Sequence, residues 1–115
     1  IDICKCEVTV ETDFRRNAEI FKAFCDENRL KILGLLRGGE KCACKLLEEM
    51  GIGQSTLSHH MRILCASGVV VGRREGKWVH YSISEEGRER VKGLIEQVAG
   101  RAPKGGEAPV EESRP

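Results

Sequence analysis

Residues Gly51–Val70 read GIGQSTLSHHMRILCASGVV, and the architecture of the whole chain turns on them. The stretch opens on a tight turn bracketed by glycines, Gly51-Ile52-Gly53, and closes towards Gly68, a residue type that ends helices because it adopts the left-handed conformation cheaply. Between them Leu57, Met61, Leu64 and Cys65 recur at i, i+4, i+7 and i+8, the spacing of one apolar stripe on an α-helix running to about Ser67. Just before the turn, Leu46, Leu47 and Met50 mark a short helix. After it, Val69–Arg74 and Lys77–Ile83 read as two strands joined by a Glu75-Gly76 turn, with Val79, Tyr81 and Ile83 alternating with Trp78, His80 and Ser82. Short helix, tight turn, helix, hairpin is the order of a winged helix-turn-helix.

The flanks complete that architecture. Phe14, Ala18, Phe21 and Phe24/Cys25 recur at helical spacing, and Asp26 is placed to cap a second helix lined by Leu30, Ile32, Leu33 and Leu36 and stopped by Gly38-Gly39. Ser84 caps a last helix with Val91, Leu94, Ile95 and Val98 on one face. A long amphipathic helix on so small a domain needs a partner, so a two-fold homodimer is expected. The expected fold is mainly α with a small β-hairpin, a homodimeric winged helix-turn-helix over residues 13–99. Residues 1–12 read as an N-terminal arm, where Val8 and Val10 alternate with Thr9 and Glu11. Residues 100–115 read as a disordered tail: RAPKGGEAPVEESRP (Arg101–Pro115) holds all three prolines and one large apolar residue, too little to bury.

The chain has 115 residues, 32% charged and 40% apolar, which suits one small core. No apolar run approaches the ~18 residues of a membrane-spanning helix, and no secretory signal pattern is present. Formal net charge is only +1, but residues 54–83 carry four basic residues against one acidic. That local asymmetry points to a surface facing phosphates. On the helix after the glycine turn, Ser55, Ser58, His59 and Arg62 lie opposite the apolar stripe at i, i+3, i+4 and i+7, flanked by Thr56 and His60, and Gln54 stands at the turn. All can donate hydrogen bonds and none is acidic, as base edges and phosphates require of a helix in the major groove. A merely solvated face would look similar. The basic hairpin directly after it (Arg73, Arg74 and Lys77), placed like a wing on the flanking backbone, favours operator double-stranded DNA as the partner.

Six cysteines are too few for a disulfide-built scaffold, and four of them form C-x-C pairs, Cys4/Cys6 and Cys42/Cys44. Paired free thiols read as metal or redox chemistry in a reducing, cytoplasmic setting. Residues i and i+2 of a regular α-helix diverge by about 200°, whereas two thiolates on one soft ion must converge at roughly 2.3 Å. Convergence at Cys42 and Cys44 therefore calls for a frayed or unwound helix start, and occupancy is expected to distort that helix's first turn. No C-x-x-C, no phosphate-cradling glycine loop and no Cys/His pair with an orienting acid supports an enzyme. A thiol redox switch stays open beside the metal reading, although a bridge within C-x-C closes a very short, strained ring.

FKAFCDENRLKIL (Phe21–Leu33), GIGQSTLSHHMRILCASGVV (Gly51–Val70) and RREGKWVHYSI (Arg73–Ile83), in that order, resemble the ArsR/SmtB family of metal-sensing repressors. The resemblance covers a little over half of the chain and implies a homodimeric winged-helix repressor that leaves its operator when an ion binds. It also implies that Cys42 and Cys44, in EKCACKLL, stand where the family's arsenic, cadmium and lead sensors carry a C-x-C. As(III) or Sb(III) wants three thiolates, Cd(II) or Pb(II) three or four. In cadmium and lead sensors an N-terminal arm reaches the other subunit's thiols, so Cys4 and Cys6 either complete the site in that way or belong to a spectator terminus. Cys25 and Cys65 follow apolar stripes and are expected in the core, with Cys65 the lesser candidate for a third sulfur. The family's zinc site on the last helix is missing, because Ser84–Ala99 contains no His and no Asp. An all-sulfur set favours arsenite or antimonite, then cadmium or lead.

Overall fold

The computed structural model describes residues 14–101; the expectations for the N-terminal arm and for the tail beyond residue 101 lie outside the described residues. Helix α1 covers residues 14–22. It is followed by α2 (Glu27–Leu36), β1 (Lys41–Cys42), α3 (Ala43–Met50), α4 (Gln54–Ser67), β2 (Val70–Glu75), β3 (Trp78–Ile83) and α5 (Glu85–Ala99). This is the winged helix-turn-helix order, mainly α with a small antiparallel sheet.

Two features correct the sequence reading. A third strand, β1, pairs with β3 and makes the sheet order β1-β3-β2. Its two residues are too short a run for period-two alternation to reveal. The hairpin turn is one residue later than expected: Glu75 pairs with Trp78, so Gly76 and Lys77 form the loop. Gly76 has φ +67°, which suits the first position of a two-residue II′ hairpin.

The helix starts follow from local chemistry. The Asp26 carboxylate accepts from the backbone N–H groups of Asn28 (2.8 Å) and Arg29 (3.2 Å), and Ser84 Oγ accepts from Gly87 N–H at 2.9 Å. Gly51 and Gly68 cap α3 and α4 in the left-handed conformation. The core joins Ile32 and Leu36 of α2, Leu46 of α3, the Leu57, Met61 and Leu64 stripe of α4, and Val69 and Val70 leading into the sheet. Burying each such side chain contributes roughly 1.5–3 kcal/mol relative to exposure, so the stripe fixes which face of α4 turns outward. The corner after α4 is tight: a Cβ on Gly87 would lie 1.9 Å from the Gly68 carbonyl oxygen, so only glycine lets α5 start there.

The apolar stripes of the flanking helices divide. Leu94 is buried and Val91 half-buried, but Ile95 and Val98 are 53% and 60% exposed, as is Leu30 of α2 at 52%.

Candidate nucleic-acid interface and thiol site

Gln54, Ser55, Thr56, Ser58, His59 and Arg62 are all exposed on α4, on the side turned away from the buried stripe. The first turn of α4 has no side-chain cap and no acidic residue, so its free backbone N–H groups and dipole add to a donor-rich, anion-accepting surface.

His60 does not belong to that face. It is only 6% exposed, and its Nδ1 lies 3.1 Å from Arg29 Nη1. Arginine can only donate, so Nδ1 accepts and a neutral ring carries its proton on Nε2, which stands 4.0 Å from Asp26 Oδ1. The expectation of a DNA contact from His60 is corrected on this ground: at the i+3 position from Leu57 its ring turns into the α2–α4 contact. Arg29 also donates from Nε to Ala23 O (3.0 Å) and from Nη2 to Lys22 O (3.3 Å), bracketing the α1–α2 corner. Partial burial raises the Asp26 carboxyl, but the Arg29 and Asn28 amides and the Arg29 charge hold it on balance below the ordinary aspartate value.

On the wing, Arg74 and Lys77 are exposed. Arg73 is exposed too but engaged: Nε and Nη2 donate to the two carboxylate oxygens of Glu40 at 3.0 and 2.7 Å, and Nη1 donates to Glu75 at 3.0 Å. The hydrogen bonds to Glu40, then Glu75, raise the Arg73 pKa further, and Arg73 lowers that of Glu40.

Cys42 is not inside α3 but caps it, with extended φ −71° and ψ 148°, and Cys44 N–H donates to its sulfur at 3.3 Å. The Cys44 thiol also points back to the Cys42 sulfur. The divergence of i and i+2 on a helix therefore never arises. Convergence is built in before any ion arrives, and the expected distortion of the first helical turn is not required for it. The Cys44 thiol hydrogen bond lowers the Cys42 pKa and raises that of Cys44, so Cys42 is the first thiolate and Cys44 holds the proton. The donor set fits a soft ion: two sulfurs at roughly 2.3 Å from a tetrahedral centre stand about 3.7 Å apart, an opening that side-chain rotation of two accessible cysteines can supply. Among the described residues no cluster of three or more His, Cys, Asp or Glu side chains could hold a metal ion, so further ligands would have to come from elsewhere.

Residues 26–71 match the family described as "Bacterial regulatory protein, arsR family". An uncharacterised HTH-type transcriptional regulator of Methanocaldococcus jannaschii is 45% identical over 74% of this chain and 93% of its own length. The chain belongs to the ArsR family. An arsenical resistance operon repressor of Staphylococcus xylosus is 41% identical to this ArsR-family chain over 64% of it and 70% of the relative. In three dimensions it is similar to the homodimeric winged helix-turn-helix DNA-binding domain of a possible ArsR-family regulator from Mycobacterium bovis, with TM-score 0.64 and 31% identity, covering 77% of this chain and 82% of that one. The ArsR family comprises DNA-binding transcriptional regulators, not enzymes. Among the described residues no helix is long and apolar enough to cross a membrane.

Of the remaining thiols, Cys65 is half-buried against the core, and burial pushes its pKa up. Cys25, expected in the core, is instead exposed, its sulfur 3.6 Å from the Phe21 carbonyl oxygen. Its place just after α1 lets it turn outward. Cys4 and Cys6 lie outside the described residues. Sequence reasoning missed Arg29 and Glu40. Their partners His60 and Arg73 are 31 and 33 residues away, and only the Asp26-x-x-Arg29 spacing beside an expected cap hinted at either.

Proposed function

We propose that this ArsR-family chain is a metal(loid)-responsive repressor that leaves its operator when Cys42 and Cys44 capture arsenite or antimonite. The observation that carries this reading is the capping geometry of Cys42, which aims two accessible sulfurs at one point. Such a pair suits soft, thiophilic ions, and the arsenical resistance repressor among its relatives supports arsenite as inducer. Cys4 and Cys6, in the N-terminal arm of residues 1–12, are the candidates for the third thiolate, with Cys65 the lesser one. Because that arm carries two cysteines, a four-sulfur site for Cd(II) or Pb(II) is the second reading.

Residues 13–99 serve DNA binding and dimerisation. Gln54, Ser55, Thr56, Ser58, His59 and Arg62 read the major groove of operator double-stranded DNA, while Arg74 and Lys77, with Arg73 beside them, hold the flanking backbone. A homodimer is supported by exposed Ile95 and Val98 and by an apolar groove of about 440 Å³ between α2 and α5, lined by Leu30, Leu33, Val91 and Ile95. The M. bovis relative is itself homodimeric. Two-fold symmetry places the operator half-sites one turn (about 34 Å) or a multiple apart. The protein works in the cytoplasm, where its thiols stay reduced.

The test uses operator DNA selected from a random pool and the reduced protein. Arsenite is expected to raise the Kd of the wild type, while C42S/C44S binds DNA but ignores the ion. Normal release from the double variant would overturn the assignment. Ultraviolet titration with As(III), Cd(II) and Pb(II) counts the thiolates per ion and ranks the inducers.

A further inference from the structure

Cys42 of β1 pairs with His80 of β3, and His80 pairs with Arg73 of β2. Residues directly opposite in a sheet share a face, so Cys42 and the wing arginine stand in one cross-strand row. A second connection runs beside it. Glu40, immediately before β1, accepts both Nε and Nη2 of Arg73, the bidentate fork that fixes orientation as well as distance. With Glu75 on Nη1, all three guanidinium nitrogens are engaged within the domain.

We propose that Glu40 and Arg73 form a latch through which occupancy of the thiol pair reaches the wing, with Arg73 acting as a positioning residue rather than a phosphate ligand. The inference rests on the metal(loid)-release reading above and says how the signal travels. Exposed ion pairs contribute little to folding stability, so the pair's value lies in where it aims the hairpin. To bind an ion, the Cys42 sulfur must exchange its contacts with the Cys44 N–H and thiol for a bond to the metal, and Cys42 is at once the cap of α3 and half of β1. Movement of Cys42 therefore loads a strand only two residues long, and two of the ties there, the Cys42–His80 ladder pair and the Glu40 carboxylate, lead to Arg73. Displacing Arg73 reorients its neighbour Arg74 and the Lys77 tip. The bistable element is thus the β1–wing junction, the two-state part a coupling claim requires.

The experiment is a double-variant cycle on ion-induced release, with arsenite and, in a parallel series, Cd(II) added to full-length reduced protein on operator DNA. Wild type is expected to lose affinity by about 5–150-fold. E40Q keeps the thiolate-to-metal absorption, the circular dichroism and an ion-free Kd within about threefold of wild type, yet its ion-induced loss shrinks at least threefold. E40Q/R73Q shows no further shrinkage beyond E40Q, and E40D, which keeps the charge, retains more release than E40Q. Undiminished release from E40Q, or additive effects in the double variant, overturns the latch alone. Wild type that shows the absorption band but no release overturns the functional reading and the latch together.

Discussion

Arg29 Nη1 donates to His60 Nδ1 across 3.1 Å, tying α2 to the outward-facing helix α4 from inside the domain. Because Arg29 also holds the Lys22 and Ala23 carbonyls, α4 is anchored to the α1–α2 corner by one side chain. The preceding residue, His59, faces solvent. Adjacent histidines therefore have different tasks.

Separate alanine variants should expose this. H60A leaves a half-buried guanidinium donor unpaired and opens a cavity at a buried ring, and is expected to lower stability by roughly 1–3 kcal/mol, read as a shifted urea midpoint. H59A should leave that midpoint in place and weaken operator binding by about tenfold. Equal unfolding curves for the two variants would contradict the assignment.

Acid stability follows from Asp26. Its carboxyl is held below the ordinary value when folded, so near that value the unfolded chain binds more protons. Its stabilising contribution is complete above the unfolded-state pKa and is lost as pH falls through that value towards the folded one. D26N should have a lower urea midpoint at neutral pH and a flatter decline than wild type between about pH 5 and 3.

The two thiols should be separable. Serine at position 42 can still cap α3, so C42S keeps the helix by circular dichroism while weakening the thiolate-to-metal absorption and the affinity for the ion. Ion capture must displace the protons the two thiols retain, so affinity for Cd(II) should rise with pH, steepest below the lowered Cys42 pKa where both are protonated, and less steeply between it and the raised Cys44 pKa where only Cys44 holds one. A pH-independent Cd(II) titration would exclude the pair as ligands.

Wing binding is measurable as salt dependence. R74Q and K77Q should each reduce the slope of log K against log salt by about 0.9 for every phosphate no longer neutralised, weakening all DNA sequences alike. R73Q is the comparison: as a positioning residue engaged by Glu40 and Glu75, it should change the ion-free slope less than either.

Much of this is legible in the chain itself. Periodicity places every expected helix of the described region, Asp26 and Ser84 announce their caps, and the C-x-C spacing marks the thiols. His60 escapes that reading because helical spacing separates one face from another but does not say where a neighbouring helix laps over the boundary.

What the chain dictates unaided is local: element order, capping, the basic hairpin and the sulfur chemistry, since each depends on residues within a few positions of one another. Folding in three dimensions was needed to set Cys42 in a strand outside its helix, to bury His60 against Arg29, and to make Arg73 answer to Glu40. The last two contacts join residues more than thirty positions apart, brought together by burial of the common core, which no spacing along the chain encodes.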